Sequence, residues 1–362
     1  MTLLVAGCGS SEKSDTSDAG GAAGASTGAG GGAGSGPANS SAGGASVAKG
    51  GTGGATSKGS ASGGNAQSGG SSSSGTASGG VPTTGGAVSY SGTFPAGTTV
   101  RETVSLTIGG KSRDVLVYRP PSAGANAPLF ILYHGTGGDP TQFMNEVGAS
   151  PVADAKGFIV ALPKANRPQQ GPADVDHWEA ITYDSGWNLS DTNPATNDDV
   201  LLTRAIIDAA SKAYGIDRKR VYTGGMSNGA FFSPMVALLL PNEIAGFSEQ
   251  SGGAMRCENR GKNGEQWTAK GTDCTSIAKE SGYPACAGQP LKPVAVPTSG
   301  RIPRGFSAHN NGDPIVSVAW TCHLAEAMGS NATTHIVAAT VHWYQATHIE
   351  EAWNALSAVS LP

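Results

Sequence analysis

Beyond residue 100 the chain groups its apolar side chains in regular patterns that its first ninety residues lack. Val100 to Ile108 and Arg113 to Arg119 alternate apolar with polar positions across Gly109-Gly110, which predicts a β-hairpin ended by Pro120-Pro121. Pro128 to Tyr133 and Gly157 to Pro163 are short apolar runs bounded by Gly and Pro. That pattern suits strands buried on both faces of a parallel sheet, and a helix is predicted between them near Asn145 to Ala155. Asp198 to Tyr214 carries Val200, Leu201, Ala205, Ile206, Ala209 and Ala213 at helical spacing, opened by acidic Asp198-Asp199 and closed by Gly215. Arg220 to Thr223 then reads as a strand, Asn228 to Leu240 as a helix and Ile244 to Glu249 as a strand. Thr334 to His342 reads as a late strand and Glu350 to Ala358 as a closing helix. Strands alternating with helices predict an α/β fold with a doubly wound, mostly parallel sheet.

Two stretches interrupt the alternation and are too long for ordinary connections. Lys164 to Asn197 holds Trp178, Tyr183 and Trp187; Met255 to Pro293 holds Trp267 and three cysteines. In an open α/β sheet, insertions after strands gather at the carboxyl edge where ligands bind. Both are expected to wall a substrate cleft, with Trp178 and Trp187 as candidate lining residues.

Composition divides the chain. Of its 362 residues 55 are Gly, and about half of these are crowded into the first quarter of the chain, before Tyr90, in a stretch of Gly, Ser, Ala and Thr that cannot bury enough apolar surface to offset its ordering entropy. Residues 9–90 are therefore expected to be a linker and residues 91–362 one catalytic-size domain. Residues 1–8 resemble the end of a bacterial lipoprotein signal, with Cys8 as the lipidation candidate and an exported, membrane-tethered or secreted protein as the consequence. A net charge of -4 with no basic stripe argues against nucleic acid as a partner. No apolar run approaches the roughly eighteen residues of a membrane span. Cys257, Cys274, Cys286 and Cys322 allow up to two disulfides in three pairings, and their spacing, without a C-x-x-C pair or a His cluster, argues against a zinc site. A monomer is expected.

Gly225-Met226-Ser227-Asn228-Gly229 has the G-x-S-x-G form of a nucleophile elbow. The same string at Gly24-Ala25-Ser26-Thr27-Gly28 lies in the linker, where no fold aims the hydroxyl. Ser227 instead follows a predicted strand and opens a predicted helix. A serine hydroxyl becomes a useful nucleophile only when an imidazole takes its proton and an acid holds that imidazole's tautomer, in the chain order Ser, acid, His for the α/β-hydrolase fold. Downstream of Ser227, Asp313 in Asn311-Gly312-Asp313-Pro314 sits where a strand should end in a turn and is the preferred acid over Asp273. His342, at the end of the last strand, is preferred as base over His348. His309 stands too close to Asp313 in sequence to face it easily. Backbone N–H groups of Asn228, after the nucleophile, and of Thr136, in Tyr133-His134-Gly135-Thr136-Gly137-Gly138, are the candidate oxyanion donors.

With these residues in hand, most of residues 100 to 355 resembles the feruloyl esterase and polyhydroxybutyrate depolymerase-like family of secreted esterases. The marks are Tyr133-His134-Gly135 with its following glycines, Gly186-Trp187-Asn188, and Asn197-Asp198-Asp199-Val200. From there the likeness runs through Ile216-Asp217 and Arg220-Val221-Tyr222 to the elbow. The resemblance implies an α/β-hydrolase fold, no cofactor, and acyl transfer from a feruloyl or hydroxyalkanoate ester to serine and then to water. It also supports Asp313 through Asp-Pro-Ile-Val, and His342 through His-Trp ahead of Ala352-Trp353-Asn354. The chain departs from the family pattern at His309-Asn310-Asn311-Gly312-Asp313, where relatives read His-Gly-Thr-x-Asp. It departs again at His342-Trp343, which lacks the flanking Gly and Pro, and at Leu189-Ser190, which lacks a cysteine pair. Two rival readings are a non-catalytic surface module that binds polysaccharide or polymer, and a peptidase or acyltransferase on the same triad.

Overall fold

The computed structural model describes residues 88–165, 186–256, 267–286, 288–342 and 347–362. Among them, nine strands form one sheet in the order β1-β2-β3-β5-β4-β6-β7-β8-β9. The hairpin of β2 (Val100–Ile108) and β3 (Lys111–Arg119) forms as the alternation predicts, pairing Ile108 with Lys111 across the two glycines. The short β1 (Tyr90–Ser91) is added outside it, antiparallel to β2. β3 pairs antiparallel with β5 (Ile159–Pro163). From there β4 (Leu129–Tyr133), β6 (Val221–Gly225), β7 (Gly246–Gln250), β8 (Arg304–Asn310) and β9 (Ala332–Val337) continue in parallel.

The central strands are apolar throughout because both faces are covered. Leu129, Ile131 and Tyr133 of β4 point into one core, and Phe130 and Leu132 into the other, as the two-residue side-chain period requires. The first core is closed by α3 (Asp198–Tyr214), α4 (Asn228–Leu239) and α6 (Val318–Met328), through Ile206, Phe232, Met235 and Leu324. The second is closed by α1 (Pro140–Glu146), α2 (Ala149–Lys156) and α7 (His348–Leu356), through Phe143, Met144, Ala153 and Trp353. Helices on both faces of a mostly parallel sheet make this an α/β-hydrolase architecture.

Several predicted elements shift. The helix expected over Asn145 to Ala155 is two helices, because Gly148 takes a left-handed conformation (φ 60°) that ends one and starts the other. β9 stops at Val337, so His342 lies on the loop beyond the strand and not at its end. β8 is the strand expected to end in the turn at Asp313, and α6 covers a helix-like segment at His323, but neither had predicted bounds: β8 carries Ser307, His309 and Asn310 as buried polar residues, which hides its extent from an apolar pattern. The short helix α5 (Cys274–Ile277) lies in the second insertion, where Cys274 is disulfide-bonded to Cys322 of α6. Cys286 is disulfide-bonded as well, and Cys257 lies outside the described residues.

One buried ion pair anchors both ends of the first insertion. Arg113 of β3 and Asp199 in the first turn of α3 meet at 2.5 Å, both essentially without solvent contact. Arg113 also donates to the Lys164 carbonyl, where the insertion begins, and Asp199 accepts from the Asn188 N–H near its end. Burial pushes the Asp199 carboxyl up against the opposing pull of Arg113, so the pair depends on this closed set of contacts.

Candidate active site

Thr136, Ser227, Asp313 and His342 each lie just beyond the carboxyl end of a parallel strand, after β4, β6, β8 and β9 respectively. Ser227 stands between β6 and α4 with φ 54° and ψ −119°, a conformation that a residue with a side chain adopts only under strain. Its N–H donates to the Gln250 carbonyl at 3.0 Å and the Met226 N–H donates to the Tyr133 carbonyl at 3.2 Å, so the turn hangs between the ends of β7 and β4. The flanking glycines have a packing reason. A Cβ at Gly225 would lie 2.2 Å from the Gly229 carbonyl oxygen, and one at Gly229 would lie 2.1 Å from the Tyr133 oxygen. The tight strand-to-helix turn therefore has room for no side chain at either position.

Asp313 and His342 meet. Oδ2 of Asp313 lies 2.7 Å from Nδ1 of His342, and Oδ1 of Asp313 accepts the N–H groups of Ile315 at 2.9 Å and Val316 at 3.0 Å. The two loops that carry them are stitched together. The Asn311 N–H donates to the Val337 carbonyl, the Gly312 N–H to the Ala339 carbonyl, and the Asn310 side chain to the Val341 carbonyl. The Asn311 side chain reaches the carbonyls of Lys270 and Gly271, tying the second insertion to the same loop. The departure from the family pattern at Asn310-Asn311 thus has a structural use that the linear sequence does not disclose.

The expectation that His309 would not easily face Asp313 is corrected. His309 ends up buried at the end of β8, and its Nε2 lies 3.6 Å from Asp313 Oδ2 because the chain turns back on itself at Gly312. Burial would raise the Asp313 carboxyl, but the two imidazoles beside it, His309 and the hydrogen-bonded His342, outweigh that and hold the group below the ordinary carboxylate range. His348, the other histidine considered as base, is the first residue of α7 and is buried beside Phe306, and burial pushes its imidazole down to about 3.

Gly135 abuts the elbow: a Cβ there would stand 3.4 Å from Ser227 Cβ and 4.0 Å from its Oγ. Thr136 follows it, half-buried, on the same strand-end loop. Asn228 opens α4, whose first-turn N–H groups have no partner within the helix, and its side chain accepts the Trp187 N–H at 2.8 Å. Trp187 is only 3% exposed. Its ring stacks on Phe232 and its Nε1–H donates to the His134 carbonyl, so its place is in the packing beneath the elbow, joining the end of the first insertion to the nucleophile turn. Trp178 and Tyr183 lie outside the described residues, as does Cys8. Among the described residues no group of three or more His, Cys, Asp or Glu is placed to hold a metal, and no helix is long and apolar enough to cross a membrane.

The fold is of the α/β-hydrolase type. A solved structure titled pOPH native superimposes with a TM-score of 0.50 at 15% identity, covering 73% of this chain and 88% of that one. No family model matches the chain. Its curated relatives are esterases. A bifunctional acetylxylan esterase/xylanase of Neocallimastix patriciarum is 32% identical over 143 residues, 40% of this chain and 18% of its own length. Feruloyl esterase B of Talaromyces stipitatus is 25% identical over 146 residues, 40% of this chain and 37% of its own length. Poly(3-hydroxyalkanoate) depolymerase C of Paucimonas lemoignei is 26% identical over 161 residues, 44% of this chain and 36% of its own length. The chain thus spans less than half the length of each of these relatives, and the likeness agrees with the family resemblance read from the motifs.

Proposed function

We propose that this chain is an exported serine carboxylic ester hydrolase. The observation that carries the reading is the strained Ser227 at a strand-to-helix turn, together with the 2.7 Å pair of Asp313 and His342 beyond the ends of neighbouring parallel strands. Ser227 Oγ attacks the ester carbonyl while Nε2 of His342 takes its proton. Asp313 keeps the other ring nitrogen protonated and stabilises the imidazolium that forms. The N–H groups of Asn228 and Thr136 receive the negative charge on the carbonyl oxygen. His342 then hands its proton to the leaving alcohol, and water enters by the same route in reverse to free the acid and regenerate Ser227.

The substrates we propose are acyl esters borne on polymers: feruloyl or acetyl esters of plant polysaccharide, or poly(3-hydroxybutyrate)-type polyesters. The names of the curated relatives support that class. Export as a secreted or Cys8-lipidated protein agrees with polymeric substrates, which do not enter cells. The reading of a non-catalytic binding module drew on the unusual residues ahead of Asp313. With Asn310 and Asn311 fastening the acid loop to its neighbours, that ground is weaker.

The test is kcat/KM on p-nitrophenyl acetate, methyl ferulate, acetylated xylan and a soluble 3-hydroxybutyrate oligomer, for the full chain and for Ser227→Ala in parallel. Activity that falls by about 10⁴-fold or more in the variant supports the serine mechanism. A chain that turns over none of the four, or a variant that keeps the parent rate, removes it.

A further inference from the structure

Behind Asp313 lies a closed line of buried polar groups that the reaction just described leaves unused. Nε2 of His309 is 3.0 Å from the Val316 carbonyl and 3.6 Å from Asp313 Oδ2, and its Nδ1 is 2.8 Å from Thr321 Oγ1 on α6. Thr321 Oγ1 is in turn 2.9 Å from Oε1 of Glu249 on β7. The other Glu249 oxygen accepts the Gly252 N–H at 3.0 Å, and Ser307 bonds to the same carboxylate. Glu249, Thr321 and His309 are all buried to within 1%.

Counting protons along this line leaves two arrangements. A carbonyl only accepts, so Nε2 of His309 carries a hydrogen in both. Thr321 has one hydroxyl proton for two neighbours. In one arrangement it donates to the Glu249 carboxylate and receives from Nδ1–H of His309, which is then an imidazolium. In the other, protonated Glu249 donates to Thr321, and Thr321 donates to the bare Nδ1 of a neutral His309. The two differ by moving one proton from His309 Nδ1 to Thr321 as the Thr321 proton passes to Glu249. Their net charge is zero either way, which a dry site favours strongly over a single unpaired ion.

We propose that Glu249 and His309 share one proton through Thr321, and that this relay positions Asp313 and balances its charge for His342. The inference rests on the reading of Ser227, His342 and Asp313 as the reacting groups. With the proton on His309, Asp313 lies between two imidazoles that both hold it ionised. When His342 becomes a cation, repulsion between the two imidazoliums drives the relay proton towards Glu249, and no proton leaves the site. His309, Thr321 and Glu249 are positioning residues here, acting through Asp313. The titratable groups that bear on the relay are Glu249, His309, Asp313 and His342. His323, also on α6, faces Tyr283 and the Pro284 carbonyl instead.

The experiment has two arms. In the first, the pH profile of kcat/KM on p-nitrophenyl acetate is taken for the full chain, Ser227→Ala, Thr321→Val and Thr321→Ser. Valine keeps the shape and removes the bridge, which strands His309 in its neutral form. Asp313 then acts uncompensated on His342, whose affinity for a proton rises. The expected result is a kcat lower by about tenfold with KM little changed, and an acid limb moved to higher pH by about half a unit or more, both restored by Thr321→Ser. A Thr321→Val enzyme with the parent kcat and pH profile, or a loss that serine does not restore, overturns the relay. In the second arm, ¹⁵N spectra of the histidine-labelled parent are expected to show Nε2 of His309 protonated from pH 5 to pH 9, and an unprotonated Nε2 overturns the relay whatever the variants do. A parent that hydrolyses no ester, or an active Ser227→Ala, defeats the proposed function instead, and the nitrogen spectra still judge the relay.

Discussion

Asp313 and His342 stand 29 residues apart in the chain and 2.7 Å apart in space, with the remaining Asp313 oxygen held by two backbone N–H groups. The carboxylate is thereby fixed in position and in charge. Asp313→Asn keeps the shape but lets the amide donate where the carboxylate accepts, which favours the wrong tautomer of His342. We expect kcat to drop by about 10³ to 10⁴-fold, with a melting temperature within a few degrees of the parent. A variant within tenfold of the parent rate would separate Asp313 from the chemistry.

Two glycines near Ser227 are expected to fail in different ways. At Gly229 an added methyl would lie 2.1 Å from the Tyr133 carbonyl oxygen, so Gly229→Ala must push α4 off β4 and should cost about 3 kcal/mol or more of stability. At Gly135 the same methyl meets Ser227 Cβ at an ordinary 3.4 Å, so Gly135→Ala should fold normally and lose activity by crowding the hydroxyl. Urea unfolding beside steady-state kinetics reads both, and a Gly229→Ala protein as stable as the parent would contradict the packing described here.

Arg113→Met leaves Asp199 buried without its cation and frees the contacts at Lys164 and Asn188. The expected loss is about 3 to 5 kcal/mol, while the double change Arg113→Met with Asp199→Leu should recover part of it because no charge is then stranded. Chemical denaturation of the three proteins checks this. A double variant less stable than the single one would show that the pair contributes more than the burial of its charges costs.

His348 gives the fold an acid-side dependence. Its folded-state affinity for a proton is lowered to about 3 by burial, whereas an unfolded histidine titrates near 6.5. The unfolded chain therefore binds more protons below neutrality. The stabilisation is fully present above about pH 6.5 and is lost as the pH falls towards 3. His348→Gln should flatten the fall in unfolding free energy between pH 6.5 and 4 by up to one proton's worth of slope, read from urea midpoints at several pH values. An unchanged slope would place the acid sensitivity elsewhere.

How much of this was legible beforehand depended on how local the deciding interactions are. The hairpin at Gly109-Gly110, the helix from Asp198 to Tyr214 and the elbow at Ser227 are set by spacing, capping and turn chemistry within a few residues, so the sequence by itself determined them. The extent of β8 was hidden because its buried positions include Ser307, His309 and Asn310, polar side chains that make sense only with partners on β7, α6 and the loop after β9. The meeting of Asp313 with His342 and the withdrawal of Trp187 from solvent into the packing under the elbow were decided by tertiary structure alone. The physical reason is that a buried polar group is stable only where distant segments bring it a partner, and no pattern along the chain records which segments those are.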